Sequence, residues 1–254
     1  MAAAGTPLTL LAALAVLAAA ALQSATGFGF ALIAAPALLA LFEPVEAITS
    51  VLVFALLVNL LMLAGERRSL SVRAGDVALV LLTALPGLAL GVLVLKSVDR
   101  EGLQVVVGVS VMTAAALATL TLGAGREASA GGGGRVTGAL AGMLAGVFTT
   151  ATSVNGPPLV LWMLQAGRSA EEMRDSLSAV FVCLNVAGLA TVALSVEGAG
   201  AVSAGVLLSG ALAAVGGWLA GRYAFTRMSD ARFAGTALVV AFTAGLASLA
   251  AGLV

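Results

Sequence analysis

Histidine is absent from this 254-residue chain, cysteine and tyrosine occur once each, and tryptophan twice. Each scarcity closes a class of function. Without histidine there is no imidazole metal site, no histidine-ligated haem and no Ser–His catalysis. A single cysteine, Cys183, excludes an intramolecular disulfide. Charged residues make up 9% of the chain, against about 25% in soluble domains. Lys plus Arg equals Asp plus Glu, so the net charge is zero and nothing recruits a nucleic acid. The carboxylates all fall in loops or at the ends of apolar runs. A carboxylate proton relay at membrane depth therefore has few candidates. Glu46 and Glu172 are the paired ones, and they read as solvated interfacial charges. No enzyme activity, cofactor or metal is expected.

What remains is apolar. Hydrophobic residues form 61% of the sequence and the mean hydropathy is +1.14. The runs are continuous rather than alternating, which predicts helices and not a barrel. The expected fold is all-α, a single polytopic membrane domain over residues 1–254. Ten hydrophobic segments are read at 8–22, 27–42, 45–64, 76–95, 102–122, 136–150, 155–166, 176–196, 202–222 and 233–253. Some fall short of the ~20 residues needed to cross a bilayer. The pairs 8–22/27–42 and 136–150/155–166 contain the short members, as short spans or re-entrant hairpins. Residues 1–22 have no Lys or Arg ahead of their apolar run, so they read as the first membrane segment rather than a signal peptide.

Charge placement tests this arrangement. With ten segments, Arg67, Arg68, Arg73, Arg126, Arg135, Arg168, Arg174, Arg222, Arg227 and Arg232 share one side, and Lys96 and Arg100 the other. The positive-inside rule makes the arginine-rich side cytoplasmic and both termini external, in the plasma membrane. The glycine run 131–134 lies in a linker, 126–135, between residues 1–125 and 136–254. The two parts repeat. At an offset of 126, Thr26 matches Thr152, Glu46 matches Glu172, Ser50 matches Ser176 and Asn59 matches Asn185. At an offset of 130, Gly87 and Gly91 match Gly217 and Gly221. Five segments per repeat is an odd number, so the repeats are expected to be inverted in the membrane. The glycine pairs read as surfaces for close helix packing.

Each repeat breaks once, at repeat-equivalent places. One break is Gln23-Ser-Ala-Thr26-Gly27-Phe-Gly29, followed by Pro36; the other is Thr149-Thr-Ala-Thr152-Ser153-Val-Asn155-Gly156-Pro157-Pro158. Polar residues and helix breakers at membrane depth are tolerated where they line a cavity. Half-helices starting near Gly27 and Gly156 would point unpaired N–H groups and positive dipole ends at one place. That makes an anion site without a buried Lys or Arg. Gln23, Thr26, Thr149, Thr152 and Ser153 are the candidate side-chain donors. Gly27, Gly29, Asn155 and Gly156 are the candidate points of close backbone approach. Pro36, Pro157 and Pro158 read as fixing the breaks. Asn59 and Asn185 stand mid-segment, as caps or as site residues. For each hydroxyl taken alone, bonding to its own helix is the alternative. Cys183 reads as packing, with a place beside the substrate as the alternative.

These residues resemble the TauE/SafE family of sulfite exporters. The shared signatures are Gln23-x-x-x-Gly27-Phe-Gly29-Phe with Pro36, Pro86-Gly87-x-x-x-Gly91, and Asn155-Gly156-Pro157-Pro158-Leu159. The resemblance covers nearly the whole chain. It implies a permease for sulfite or another sulfur or organic anion such as sulfoacetate or thiosulfate, working by alternating access. Many members carry glycine where this chain has Thr149 and Thr152, which implies a narrower site or one richer in donors. A channel of the same architecture is the alternative. The implied partners are a small anion and the lipid bilayer; a homo-oligomer and a coupling ion stay open.

Overall fold

A computed structural model describes residues 6–65, 69–123, 133–197, 202–225, 239, 242–243 and 245–253. The helices are α1 (Thr6–Thr26), α2 (Phe30–Leu41), α3 (Pro44–Gly65), α4 (Ala74–Ser97), α5 (Arg100–Gly123), α6 (Arg135–Ala151), α7 (Gly156–Gln165), α8 (Ala170–Ser195) and α9 (Ala204–Phe225). Residues 245–251 are helical too, and among the described residues there is no strand. Residues 233–238, 240–241 and 244 of the expected segment 233–253, and residues 126–132 of the expected linker, lie outside the described residues; Arg135 opens α6.

Among the described residues, five helices are long and apolar enough to cross a membrane: Pro7–Thr26, Pro44–Gly65, Ala74–Ser97, Glu171–Ser195 and Ala204–Tyr223. The chain is a polytopic membrane protein. By contrast α2 has 12 residues and α7 has 10, about 18 and 15 Å of helix at 1.5 Å per residue. Neither covers a hydrocarbon layer about 30 Å thick.

The few charges serve helix ends. Ser169 and Glu172 form a reciprocal capping box that starts α8. Cations sit on carbonyl ends, where the helix dipole is negative. Arg174 donates to Ser24 O of α1, Arg100 to Leu39 O and Ala40 O of α2, Arg222 to Gly65 O of α3, and Lys96 to Ser195 O of α8.

The two most extensive packing contacts across the chain's midpoint set α4 on α6 and α1 on α9. Both depend on missing side chains. A methyl group on Gly87 would overlap Met143 O, and one on Gly91 would overlap Val147 O and the Thr150 hydroxyl. From the other side, Gly146 is closed off by Ala84 O. On the second contact, Gly217 is closed by Leu17 O and Gly221 by Ala21 O. Such close approach is how helices gain contact in lipid, where burial itself drives little association. A hydroxyl stitches each contact: Thr150 Oγ1 donates to Leu88 O at 2.8 Å, and Ser24 Oγ to Trp218 O at 2.9 Å.

The apolar interior divides accordingly. One buried cluster is built mainly from α1, α2, α3, α5 and α9, with Val92 and Leu95 of α4 and Val192 of α8; the other combines α4, α6, α7 and α8. The second cluster takes α4 side chains from the first part of the sequence, and the first takes side chains of α9 and α8 from the second part.

Two expectations need correction. The polar stretch Gln23–Thr26 does not interrupt the first helix: α1 runs through it to Thr26 and is 21 residues long. The hydroxyl of Thr26 reaches back to Leu22 O at 2.9 Å, so the polar group is satisfied within the helix. In the same way α6 continues through Thr149 and Thr150 to Ala151. Pro36 does not fix a break; it lies buried inside α2, which runs through it. The missing N–H costs one helical hydrogen bond there but no change of direction into a loop.

Candidate functional site

The first break occupies only residues 27–29. Gly27 (φ 88°) and Gly29 (φ 102°) are both left-handed, a conformation open to glycine without strain. The second break occupies 152–155, and its left-handed residue is Ser153 (φ 61°), at the position matching Gly27. The two breaks share one bonding scheme. Thr26 Oγ1 donates to Leu22 O (2.9 Å) and accepts from Phe28 N (3.4 Å). Thr152 Oγ1 donates to Phe148 O (3.2 Å) and accepts from Val154 N (3.3 Å). Each threonine closes the carbonyl end of one helix and starts the turn to the next.

The breaks meet. A single cavity, with about 390 Å³ unoccupied by atoms including its open mouth, is lined by Gln23, Gly29, Phe30, Ala31, Leu32, Ala55, Asn59, Ser153, Val154, Asn155, Gly156, Pro157, Phe181 and Asn185. Of the residues expected at a site, Gln23, Gly29, Asn59, Ser153, Asn155, Gly156, Pro157 and Asn185 are brought together here. Thr26, Gly27, Thr149 and Thr152 are not on its wall. They stand behind it. Gly27 packs against the Arg174 stem, and Thr149 donates to Ala145 O and accepts from Asn155 Nδ2 at 3.0 Å. Their hydroxyl protons are committed to backbone carbonyls.

Sequence reasoning missed the apolar lining. Ala55 and Phe181 lie one helical turn before Asn59 and Asn185 on α3 and α8, at the same 126-residue offset. A turn of helix places i and i+4 on one face, so the paired asparagines were the signal. Phe30 and Gly156, and Ala31 and Pro157, match by the same offset. Cys183 is exposed and lines no part of the cavity.

The donor inventory decides what the cavity can hold. Gln23 is engaged at both amide atoms across the first break: Nε2 donates to Asn59 Oδ1 at 2.7 Å and Oε1 accepts Phe30 N at 3.0 Å. Asn59 Nδ2 donates to Ala55 O. Asn155 Nδ2 is held by Thr149. The carbonyl ends of α1 and α6 are capped, by Gly27 N, Arg174 and the two threonines. The starts of α2 and α7 are not. Among the described residues, the backbone N–H groups of Ala31, Asn155 and Gly156 find no acceptor. Pro157 and Pro158 have no N–H, so α7 offers fewer donors than an ordinary helix start. Asn185 is 3% exposed and its amide has no partner among the described residues. A buried amide without a partner is costly, and one facing a cavity is satisfied by whatever enters it. No lining residue is charged. The result is a neutral pocket with spare N–H donors, suited to a small anion.

The two ends differ. On the arginine-rich end the α3–α4 connection is tied to the start of α8. Arg73 Nη1 lies 3.1 Å from Glu172 Oε1, Asp175 Oδ2 accepts Ser71 N, and Ser176 Oγ accepts Arg73 N. Arg168 Nη2 donates to Asp76 Oδ1 at 3.0 Å, and its Nε lies 2.7 Å from Oδ2, off hydrogen-bonding alignment. At the other end, Arg100 bridges α2 and Glu43, at 3.6 Å from the carboxylate.

Compared with known proteins, residues 11–248 match the family model described as "Sulfite exporter TauE/SafE". No curated protein and no solved structure matches the chain.

Proposed function

Because the chain belongs to the TauE/SafE sulfite exporter family, a family of membrane transporters for sulfur anions, we propose that it is a plasma-membrane permease that moves sulfite by alternating access around the cavity between α1/α2 and α6/α7. The carrying observation is that one neutral cavity gathers both breaks, both paired asparagines and unpaired N–H groups. Gly29, Asn155 and Gly156 bring the backbone to the anion. Asn185 and Ser153 donate from the walls. Gln23, Asn59, Thr26, Thr149 and Thr152 hold the donors in place, and Gly27 lets α1 end where it does.

The two parts of the chain act as inverted repeats in this reading. The matched threonine turns, the matched interhelix hydroxyls of Ser24 and Thr150, and the exchange of α4 and α9 support it. The short helices α2 and α7 then end inside the bilayer as half-helices. The arginine-rich end is cytoplasmic, with both termini external. Its ion pairs join the α3–α4 connection to α8, and they open when the site faces the cytoplasm. A transporter of this kind needs two discrete packings, and an ion-pair lattice between otherwise separate elements supplies the difference between them.

Sulfite flux into proteoliposomes tests the reading. The wild-type chain transports saturably, and Asn155→Leu abolishes flux while the protein stays folded. Normal flux in that variant removes the site assignment; flux without saturation identifies a channel; no flux of any sulfur oxyanion removes the permease.

A further inference from the structure

We infer that the cavity admits singly charged oxyanions and rejects dianions, so that sulfite crosses as hydrogensulfite, bringing its proton with it. This rests on the reading of the cavity as the transport site and adds the charge state of what is carried.

The first argument is electrostatic. The cavity wall holds no charged residue. The surrounding elements hold few. α1, α2 and α7 have none, α6 has only Arg135 at its start, and α3 has only Glu46 in its first turn. On α8 the charges Glu171, Glu172, Arg174 and Asp175 all lie in the first two turns, and Cys183 is exposed away from the cavity. The guanidinium of Arg174 is occupied at Ser24 O, behind the first break. The groups an anion touches on this wall are dipoles. The cost of removing an ion from water grows with the square of its charge, whereas its attraction to fixed dipoles grows in simple proportion. Going from a monoanion to a dianion multiplies the cost roughly fourfold and the return roughly twofold. A pocket made of N–H groups therefore selects the lower charge; a cation in the wall would reverse that preference.

The second argument is chemical. Hydrogensulfite presents acceptor oxygens and one donor. An amide offers both partners, while Lys and Arg offer donors alone. The Asn185 amide is uncommitted among the described residues, and Asn155 uses only its Nδ2, leaving Oδ1 as an acceptor. Both residues line the cavity. No titratable side chain lines it, so the proton has no protein carrier and travels on the anion. Hydrogensulfite carries one proton and one net negative charge, and no bond to sulfur changes. Sulfite has its second ionisation near neutrality, so a useful fraction is in this form. Thiosulfate and sulfoacetate are doubly charged there and rank below it.

The test uses the purified full chain and three anions of similar size: methanesulfonate, a permanent monoanion; sulfate, a dianion of the same tetrahedral shape; and sulfite, on both sides of its second ionisation. Ligand-dependent melting is read for each. Methanesulfonate is expected to stabilise the protein across the range, sulfate not to, and the apparent affinity for total sulfite to weaken about tenfold per pH unit above that ionisation. Stabilisation by sulfate equal to that by methanesulfonate, or sulfite affinity that rises with pH, overturns the proposal and leaves the permease reading standing. Absence of any response to all three anions at every pH removes both.

Discussion

Asn59 and Asn185 occupy matching positions in the two parts of the chain, both line the cavity, and both are at least nine-tenths buried. The same substitution should have opposite consequences at the two. Asn59→Leu removes the acceptor of a 2.7 Å bond from Gln23 Nε2. The Gln23 amide is then a buried donor without a partner, which costs about 1–3 kcal/mol. Gln23 also holds Phe30 N through Oε1, so the start of α2 loosens with it. At roughly 2–4 °C per kcal/mol for a chain of this size, Asn59→Leu lowers the melting temperature by about 2–12 °C. Asn185→Leu removes no hydrogen bond within the described residues and replaces a buried amide beside the cavity by an apolar group of the same branching. Its melting temperature should stay within about 2 °C of wild type. Under the proposed function it also removes a donor to the anion. Hydrogen bonds to charged groups contribute about 1.5–3 kcal/mol, so sulfite affinity falls by about 10–150-fold. Both quantities come from one melting series with and without sulfite. Equal destabilisation by the two variants would mean that Asn185 has a structural partner. An undiminished sulfite response in Asn185→Leu would remove it from the site.

The glycine contacts predict a contrast within one residue type. Gly91→Ala drives a methyl into Val147 O and the Thr150 hydroxyl, separating α4 from α6 at a cost of about 1–3 kcal/mol; Gly216→Ala on α9 meets nothing within 4 Å and stabilises by about 0.5–1 kcal/mol through helix propensity. Detergent unfolding of the two variants checks the sign. Arg168→Ala leaves Asp76 without its cation at a site where the side chains are 22% and 14% exposed. Loss of about 1–3 kcal/mol is expected, less than for a fully buried pair, together with faster opening of that end of the bundle. Hydrogen exchange over residues 69–76 reads this directly, and unchanged protection there would mean that the ion pair does not hold that end closed.

The choice of helices over strands was legible in the chain because nothing but continuous apolar runs could satisfy the backbone in lipid. The breaks were legible for a related reason: Gly27, Gly29, Asn155 and Gly156 are residues a membrane helix has no cause to carry together. Their extent was misread because hydroxyls can be satisfied inside a helix. Ser24, Thr26 and Thr149 are polar by type yet bonded to backbone carbonyls in place. Pro36 was misread because a proline within a helix and a proline after a break look alike in sequence. Phe181 and Ala55 carried no signal of their own; only their spacing from the asparagines did.

Composition and order of residues by themselves determined the solvent, the helical class, the doubled pattern and the neutral character of any site at its centre. Those follow from local chemistry, since an apolar run, a glycine or a missing histidine means the same wherever the chain goes. The tertiary structure alone decided which of two matched residues is free. Gln23 reaches Asn59 across 36 residues and so occupies it, while Asn185 finds no such neighbour among the described residues. It likewise decided that α4 joins α6 and α9 joins α1, because backbone-to-backbone approach at Gly91 and Gly221 depends on what faces them. Hydrogen bonds and close contacts are pairwise facts, and a sequence states only one member of each pair at a time.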